Sequence, residues 1–231
     1  MRIPLLHVAV AAALLAAAPA VSSAQSNEEK RVTDSAAVLE TLVRAPDQEI
    51  PQHILERAEA IVVIPSLVKG GFIIGAQHGR GVMSVRNRDT NKWSAPGFVA
   101  LTGGSIGWQI GVQSVDLVLL VMNKEGVKDL LSNEFKLGAN ASVAAGPVGR
   151  QGEASTDASL SAQILAYSRA KGLFAGLSLE GASLRVDNDA NKDFYRTSVS
   201  TDEMVRGVAR TTPLGSQWTA TLERLIPAAA R

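Results

Sequence analysis

The sequence predicts an α+β fold, in which a strongly coiled or barrel-like antiparallel β-sheet is flanked by N- and C-terminal helices. Three observations predict it. Apolar residues recur at helical spacing near both ends of the chain, glycine-punctuated runs of β-branched residues fill the middle, and one helical segment interrupts those runs. Glycine within a strand permits bulges and tight bends, which a curled sheet needs.

The first 24 residues have the composition of a cleavable secretory signal. A lone charge at Arg2 precedes an apolar Ala/Leu/Val segment, and small residues end it at Ala24. The alternative is an uncleaved membrane anchor, although Pro4 and Pro19 interrupt the apolar run. We therefore expect an exported chain, periplasmic or extracellular, with one folded domain over residues 25–231.

Two amphipathic helices are expected between residues 27 and 59. Ser26 and Glu29 form a capping-box pattern ahead of the first helix, which Pro46 ends. Pro51 suits the first turn of the second helix.

The sheet is expected between residues 60 and 186. Its strand-like runs are AIVVIP, GGFIIGAQ, RGVMSVRN, GFVALTGGSIGWQIGVQ, SVDLVLLVMN, GANASVAAG, ASLSAQILAYS and LFAGLSLEGASLRVD. The segment NKEGVKDLLSNEF interrupts them as a helix. C-terminal helices are expected over residues 188–227, with starts at the polar turn DNDAN, at the capping pair Ser200 and Glu203, and at Ser216.

Composition excludes several function classes. The predicted signal holds one of the 23 basic residues and none of the 22 acidic ones, so residues 25–231 are formally neutral and nucleic-acid binding is not expected. Without cysteine or paired-histidine spacing, we expect neither a disulfide nor a metal site. DNDAN imitates a calcium loop, but Lys192 stands where that loop needs glycine. Nucleotide-binding glycine loops are absent, and no cofactor is expected.

The stretch GGSIG, residues 103–107, matches the G-x-S-x-G pattern of α/β-hydrolases. That motif requires a helix directly after the serine, whereas glycines and β-branched residues typical of a strand follow Ser105. A triad in the order His78, Asp89, Ser105 is the arrangement left open. We therefore predict no enzyme, with a serine hydrolase as a minor alternative.

Basic residues recur in the strand around residue 80. Alternate residues of a strand share one face and lie about 6.6 Å apart, so a cationic stripe is expected there. Its expected members are Arg80, Val82, Ser84, Arg86 and Arg88. The planar fork of arginine suits phosphate recognition. The alternative is an ordinary half-exposed strand with its charged face in water.

Two glycine-containing turns are further candidates. The backbone of Gly146–Gly149 can expose amides, and Arg150 adds a charge, a combination that can hold an anion. Tyr167, Arg169 and Lys171 precede an apolar strand, as at membrane interfaces. The alternatives are ordinary turns, with Tyr167 at the edge of the core.

Six segments of the chain resemble, in order and spacing, the SYLF domain family. They are LVKGGFIIGAQHGRGVMSVRN, WSAPGFVALTGGSIGWQIG, DLVLLVMN, GPVGR, YSRAKGLFAGLSLEGASL and NKDFYR. The resemblance implies a module that binds phosphoinositides or other anionic phospholipids, in part through an N-terminal amphipathic helix. It also implies actin bundling in some fungal members, although we do not expect actin as the partner of an exported chain.

Few site residues carry over from the resemblance. The glycines and Trp93–Pro96 match the family pattern and are interpreted as structural. Basic positions are inferred to contact phosphate, namely Lys69, Arg80, Arg86, Arg150 and Lys171. The N-terminal helix has three basic against four acidic residues, which makes it a poor electrostatic membrane anchor.

The sequence thus predicts a non-enzymatic protein that binds anionic phospholipid, with phosphoinositide-like head groups, at a membrane surface of the cell envelope. An envelope scaffold that binds another protein without lipid is the main alternative. A third is an outer-membrane barrel, for which aromatic residues, at 4% of the chain, are too few.

Overall fold

A computed structural model describes most of the chain after the predicted signal. The described residues are 25–45, 50–132, 135–149, 162–171, 173–174, 179–200, 203 and 211–227, without the side chains of 71–74, 105–111 and 174. The helices are α1 (Asn27–Val43), α2 (Gln52–Arg57), α3 (Lys124–Leu130), α4 (Asn188–Tyr195) and α5 (Pro213–Leu225). The strands are β1 (Ala60–Asn87), β2 (Lys92–Trp93), β3 (Gly97–Val121), β4 (Phe135–Lys136), β5 (Val143–Ala145), β6 (Ile164–Ala170), β7 (Leu173–Phe174) and β8 (Ser183–Val186).

Two long antiparallel strands, β1 and β3, form the centre of the sheet. The sequence predicted three separate strands over β1, which is wrong, because the register shifts between Ile64 and Leu67 and between Gly71 and Ile73 bend the strand without ending it. At the first shift Ser66 has a φ of 52°, and its N–H donates to Asp116 Oδ1 at 3.0 Å.

The strand β1 folds back on itself. A Cβ placed on Gly81 would lie 2.0 Å from the carbonyl oxygen of Val63, and one on Gly79 would lie 2.8 Å from the side chain of Leu67. Farther along, the Arg86 N–H donates to the Glu59 carbonyl at 2.8 Å. The two ends of β1 therefore run side by side, and the sheet curls into a half-barrel, as the predicted coiled sheet required.

The remaining strands extend the sheet from β3. The order is β2-β1-β3-β6-β5, with β8 between β3 and β4, and with β7 paired to β6. The pair β5 and β6 is parallel, so the predicted antiparallel sheet is in fact mixed. The α+β fold with a curled sheet and flanking helices is confirmed.

The sheet separates two apolar layers. Its inner face packs against itself, with residues such as Ile64, Met83, Leu117, Phe135 and Leu184. The outer face lies under α1, α4 and α5, with Leu39, Phe98, Phe194 and Trp218 in that layer. Among the described residues, no helix is long and apolar enough to cross a membrane.

Helix α1 is part of the core. The predicted capping box of Ser26 and Glu29 is present, and Leu39 and Leu42 are fully buried. Arg31 pairs with Asp187 at 3.1 Å. An ion pair between Glu40 and Arg224 joins α1 to α5. The apolar face of α1 is therefore covered by the rest of the fold.

The C-terminal helices differ slightly from the prediction. The capping pair of Ser200 and Glu203 is confirmed by reciprocal hydrogen bonds, although residues 204–210 lie outside the described ranges. The last helix begins at Pro213 and not at Ser216, because the Thr212 hydroxyl accepts from the N–H of Gly215 and proline suits the first turn.

Candidate functional site at the bend of the sheet

The GGSIG stretch is an uninterrupted part of a strand. Ser105 pairs with Gly75 of β1, and β3 continues to Val121, so the strand prediction is confirmed and no helix follows the serine. His78 lies on β1 opposite Thr102, whereas Asp89 lies in the turn beyond the far end of β1. The backbone thus provides no nucleophile turn at Ser105.

The predicted arginine stripe is not one exposed surface. Arg86 is 3% exposed, its guanidinium lies 5.4 Å from the ring centroid of Trp93, and its Nη1 donates to the Glu56 carbonyl at 3.1 Å. Val82 and Ser84 are buried too, and Trp218 Nε1 donates to Ser84 Oγ at 2.8 Å. The prediction of a solvent-facing stripe is wrong for these residues because α5 and β2 cover that face.

Arg88 has a structural role at the end of α2. Its Nη atoms donate to the carbonyls of Glu56, Arg57 and Ala58, at 3.2, 2.7 and 3.0 Å. Its Nε lies 3.0 Å from Glu59 Oε1. The last carbonyls of a helix have no partner within the helix, so Arg88, together with Arg86, supplies donors that the helix lacks.

The GPVG turn is held against a buried tyrosine. A Cβ on Gly146 would lie 2.1 Å from Cζ of Tyr167, and the Gly146 N–H already donates to the Ala166 carbonyl at 3.0 Å. Burial raises the pKa of Tyr167, whose place in the core agrees with the structural alternative. Arg150 lies outside the described residues, so its phosphate contact stays a prediction.

The structure places two of the predicted basic residues close together and the third on the other arm of β1. Lys69 pairs with Gln113 of β3, whereas Arg80 pairs with Ala100 and lies on the arm of β1 that folds back. Lys171 follows Arg169, which pairs with Asp116 of β3. That register puts Lys171 two strands from Lys69, about 10 Å across the sheet.

These three side chains are available to an external ligand. Arg80 and Lys171 are exposed and Lys69 is half-buried. Within the described part of the chain, none of the three forms a side-chain hydrogen bond or ion pair.

Exposed apolar side chains lie near Lys69 and Lys171 in the sheet. Val112 is 82% exposed, Leu173 68% and Val68 47%. Val68 is opposite Ser114 and Val112 is opposite Gly70 in the β1–β3 ladder, while Leu173 pairs with Ala170 next to Lys171. We call Val68, Val112, Leu173, Lys69 and Lys171, together with Arg80 on the other arm of β1, the bend surface.

The sequence interpretation missed the apolar half of this surface. Val68 and Val112 look like ordinary strand residues, because alternation predicts which face a residue takes and not whether that face is covered. In the sequence, Gly71 and Gly111 carried the available signal, since the pairing of the two strands is irregular around them. No group of three potential metal ligands occurs among the described residues.

Comparison with known proteins identifies the family. The sequence profile described as "Ysc84: Las17-binding protein actin regulator" matches residues 102–226, more than half of the chain. The chain belongs to the Ysc84 family. This membership confirms the resemblance to the SYLF domain.

Several relatives of this Ysc84-family chain are known. Protein YSC84 and LAS seventeen-binding protein 3 of Saccharomyces cerevisiae are 37% identical over 172 residues, which cover 72% of this chain and 36% and 37% of those proteins. SH3 domain-containing YSC84-like protein 1 of Homo sapiens is 34% identical over 163 residues, 70% of this chain and 47% of that protein. The chain thus spans between about a third and a half of their length.

Proposed function

We propose that this chain is a non-enzymatic binding module whose bend surface docks on membranes that contain anionic phospholipid. One observation carries the proposal. Lys69 and Lys171 lie near the exposed side chains of Val68, Val112 and Leu173, and these two cations, like Arg80, have no partner among the described residues. A lipid surface offers phosphate to the cations and an apolar layer to the other three.

Charge and apolar burial are both needed for this binding. Each Lys or Arg near an anionic membrane contributes about 1 kcal/mol, and the bend surface has three. Transfer of an exposed Val or Leu side chain out of water contributes about 1.5–3 kcal/mol when its burial is complete. Together these terms are sufficient for reversible peripheral attachment.

Helix α1 is not part of the proposed attachment. Family resemblance implies insertion of an N-terminal amphipathic helix, but here Leu39 and Leu42 are fully buried. Insertion would require α1 to leave the core, which costs several kcal/mol. We further propose that attachment takes place in the envelope or outside the cell, because residues 1–24 have the composition of a secretory signal.

Neutralising the three cations of the bend surface should strongly weaken binding to anionic vesicles. We expect the triple change Lys69→Gln, Arg80→Gln, Lys171→Gln to weaken binding to phosphatidylcholine vesicles containing phosphatidylglycerol by about a hundredfold, as three charges are lost. Vesicle co-sedimentation measures this loss, and wild-type binding should fall as salt is raised.

The matched control changes the same number of charges elsewhere. Lys92, Lys128 and Lys192 are exposed and lie outside the bend surface. Their triple change to Gln should leave vesicle binding within about twofold of the wild type. The proposal is contradicted if both triple variants lose vesicle binding equally. It is also contradicted if vesicles of pure phosphatidylcholine bind the wild type as well as anionic vesicles do.

Apolar contacts are tested separately. We expect Val112→Ser together with Leu173→Ser to weaken vesicle binding by about tenfold or more, because their side chains no longer gain from leaving water. The free energy of unfolding, measured in urea, should differ from that of the wild type by less than about 0.5 kcal/mol, since both residues are exposed in the free protein. Unchanged binding at all salt concentrations would show that acyl chains are not contacted.

A second candidate function is binding of a protein partner. The names of the family and of its yeast relatives describe binding to Las17 and actin regulation, and none of those names describes an enzyme. If this chain acts the same way, a defined protein partner should bind it in the absence of vesicles. Vesicle binding should then not differ between the bend triple variant and the wild type.

A further inference from the structure

A cleft lies where the two ends of β1 meet, away from the bend in the middle of that strand. Its volume is about 250 Å³, and its charged lining residues are Glu59, Arg86, Arg88, Asp89 and Lys124. A hydrogen bond joins the backbones of two of its lining residues, Arg86 and Glu59. Helix α3, which begins at Lys124, contributes another wall.

The cations of the cleft are not equally compensated. Arg88 is paired with Glu59 and bound to the three carbonyls at the end of α2. Arg86, by contrast, has no carboxylate within ion-pair distance among the described residues, and its Nε has no hydrogen-bond acceptor. Its charge is held by one carbonyl and by the ring of Trp93.

This imbalance has an energetic consequence. A buried charge costs several kcal/mol unless it is paired, and arginine does not lose its proton in proteins. Burial, with a further contribution from the nearby charge of Arg88, lowers the pKa of Arg86. An anion next to Arg86 would remove much of this penalty.

Lys124 supplies a second cation in the same cleft. Its side chain is exposed and makes no hydrogen bond or ion pair with any residue that the structure describes. The lining holds three basic residues against two acidic ones, and one of those acids, Glu59, is already paired. The cleft therefore favours a negatively charged ligand.

We propose that this cleft binds a phosphate group held between Arg86 and Lys124. Phosphate presents oxygen atoms in several directions, so one group can accept from cations on two walls. The volume accommodates the phosphate together with a small substituent. A soluble phosphate ester and a lipid head group are the two possible sources of this chemistry.

Lys124→Ala tests the site with inorganic phosphate as the probe. Calorimetric titration at constant ionic strength should show phosphate binding to the wild type, and a dissociation constant raised about tenfold in Lys124→Ala, which loses one charge-assisted contact. Lys128→Ala, an exposed lysine of the same helix that does not line the cleft, should bind as the wild type does.

Either of two results would contradict the proposed phosphate site. One is that the wild type does not bind phosphate, and the other is that Lys124→Ala binds it unchanged. The bend triple variant should keep full phosphate affinity, because none of its three changed residues lines the cleft. Loss of phosphate binding in that variant would place the anion at the bend surface and refute the cleft.

Competition identifies the source of the phosphate. If the ligand is a lipid, phosphatidylcholine vesicles containing phosphatidic acid should displace inorganic phosphate, and Lys124→Ala should reduce that displacement. If the ligand is soluble, glycerol phosphate should displace inorganic phosphate and the vesicles should not. Either result supports the phosphate site, and the second leaves the docking of the bend surface to be judged by its own experiment.

Discussion

Arg86→Glu should destabilise the fold by about 3–5 kcal/mol, the range found when one member of a buried charge arrangement is changed. The new carboxylate would be buried beside the Glu56 carbonyl, the ring of Trp93 and the carboxylate of Glu59. It would also remove a donor from the end of α2. Urea unfolding followed by circular dichroism measures the change.

Arg80→Glu is the matched control for that variant. Arg80 lies on the same strand and, by alternation, on the same face, but it is exposed. We expect its free energy of unfolding to change by less than about 0.5 kcal/mol, while its binding to anionic vesicles falls. Equal stability of the two variants would show that Arg86 is not a structural residue.

Gly81→Val should prevent the sheet from closing on itself. The added Cβ would lie 2.0 Å from the Val63 carbonyl oxygen and 2.8 Å from its carbon, so backbone and not a flexible side chain must move. Overpacking of a core costs about 1–3 kcal/mol even when side chains can adjust, and we expect a loss at or above the upper end of that range. The measurement is again urea unfolding.

Gly104→Val is the control, because a Cβ at Gly104 meets nothing within 4 Å. Gly104 also lies in a long strand, opposite Ala76, where valine has the better β propensity. We expect its stability to equal or exceed that of the wild type. If Gly81→Val were equally stable, β1 would not fold back at that position.

Local features could be predicted from the sequence. The capping pairs of Ser26 with Glu29 and of Ser200 with Glu203 were found correctly, because a cap involves residues three apart. The helix at Asn188 was found for the same reason, since Asp187 accepts from the N–H of Ala190. Strand character around Ser105 also follows from nearby residues, and it argued against the strand-to-helix turn that places the serine nucleophile of α/β-hydrolases.

Strand number was harder to predict. Glycine pairs such as Gly70 and Gly71 read as ends of strands, yet β1 continues through them. Glycine permits both a turn and a bend within a strand, and the choice depends on the partner strand. The parallel pairing of β5 with β6 likewise joins residues about twenty positions apart, such as Val143 and Ile164.

The candidate site shows the same division. Its cations could be named from the sequence, but Arg80 and Arg86 appeared equivalent, since alternation places them on one face. Which of them reaches water is decided by Trp93 and Trp218, the latter bonded to a residue 134 positions away in the chain.

The sequence by itself determined the fold class, the helix caps and the alternation of faces along the strands of this protein, because those depend on residues a few positions apart. The tertiary structure alone decided that β1 closes on itself and that Arg86 is buried. It also decided that Lys69 and Lys171 come near the exposed side chains of Val68, Val112 and Leu173. The physical reason is that exposure and proximity are properties of packing between distant segments, which periodicity does not record.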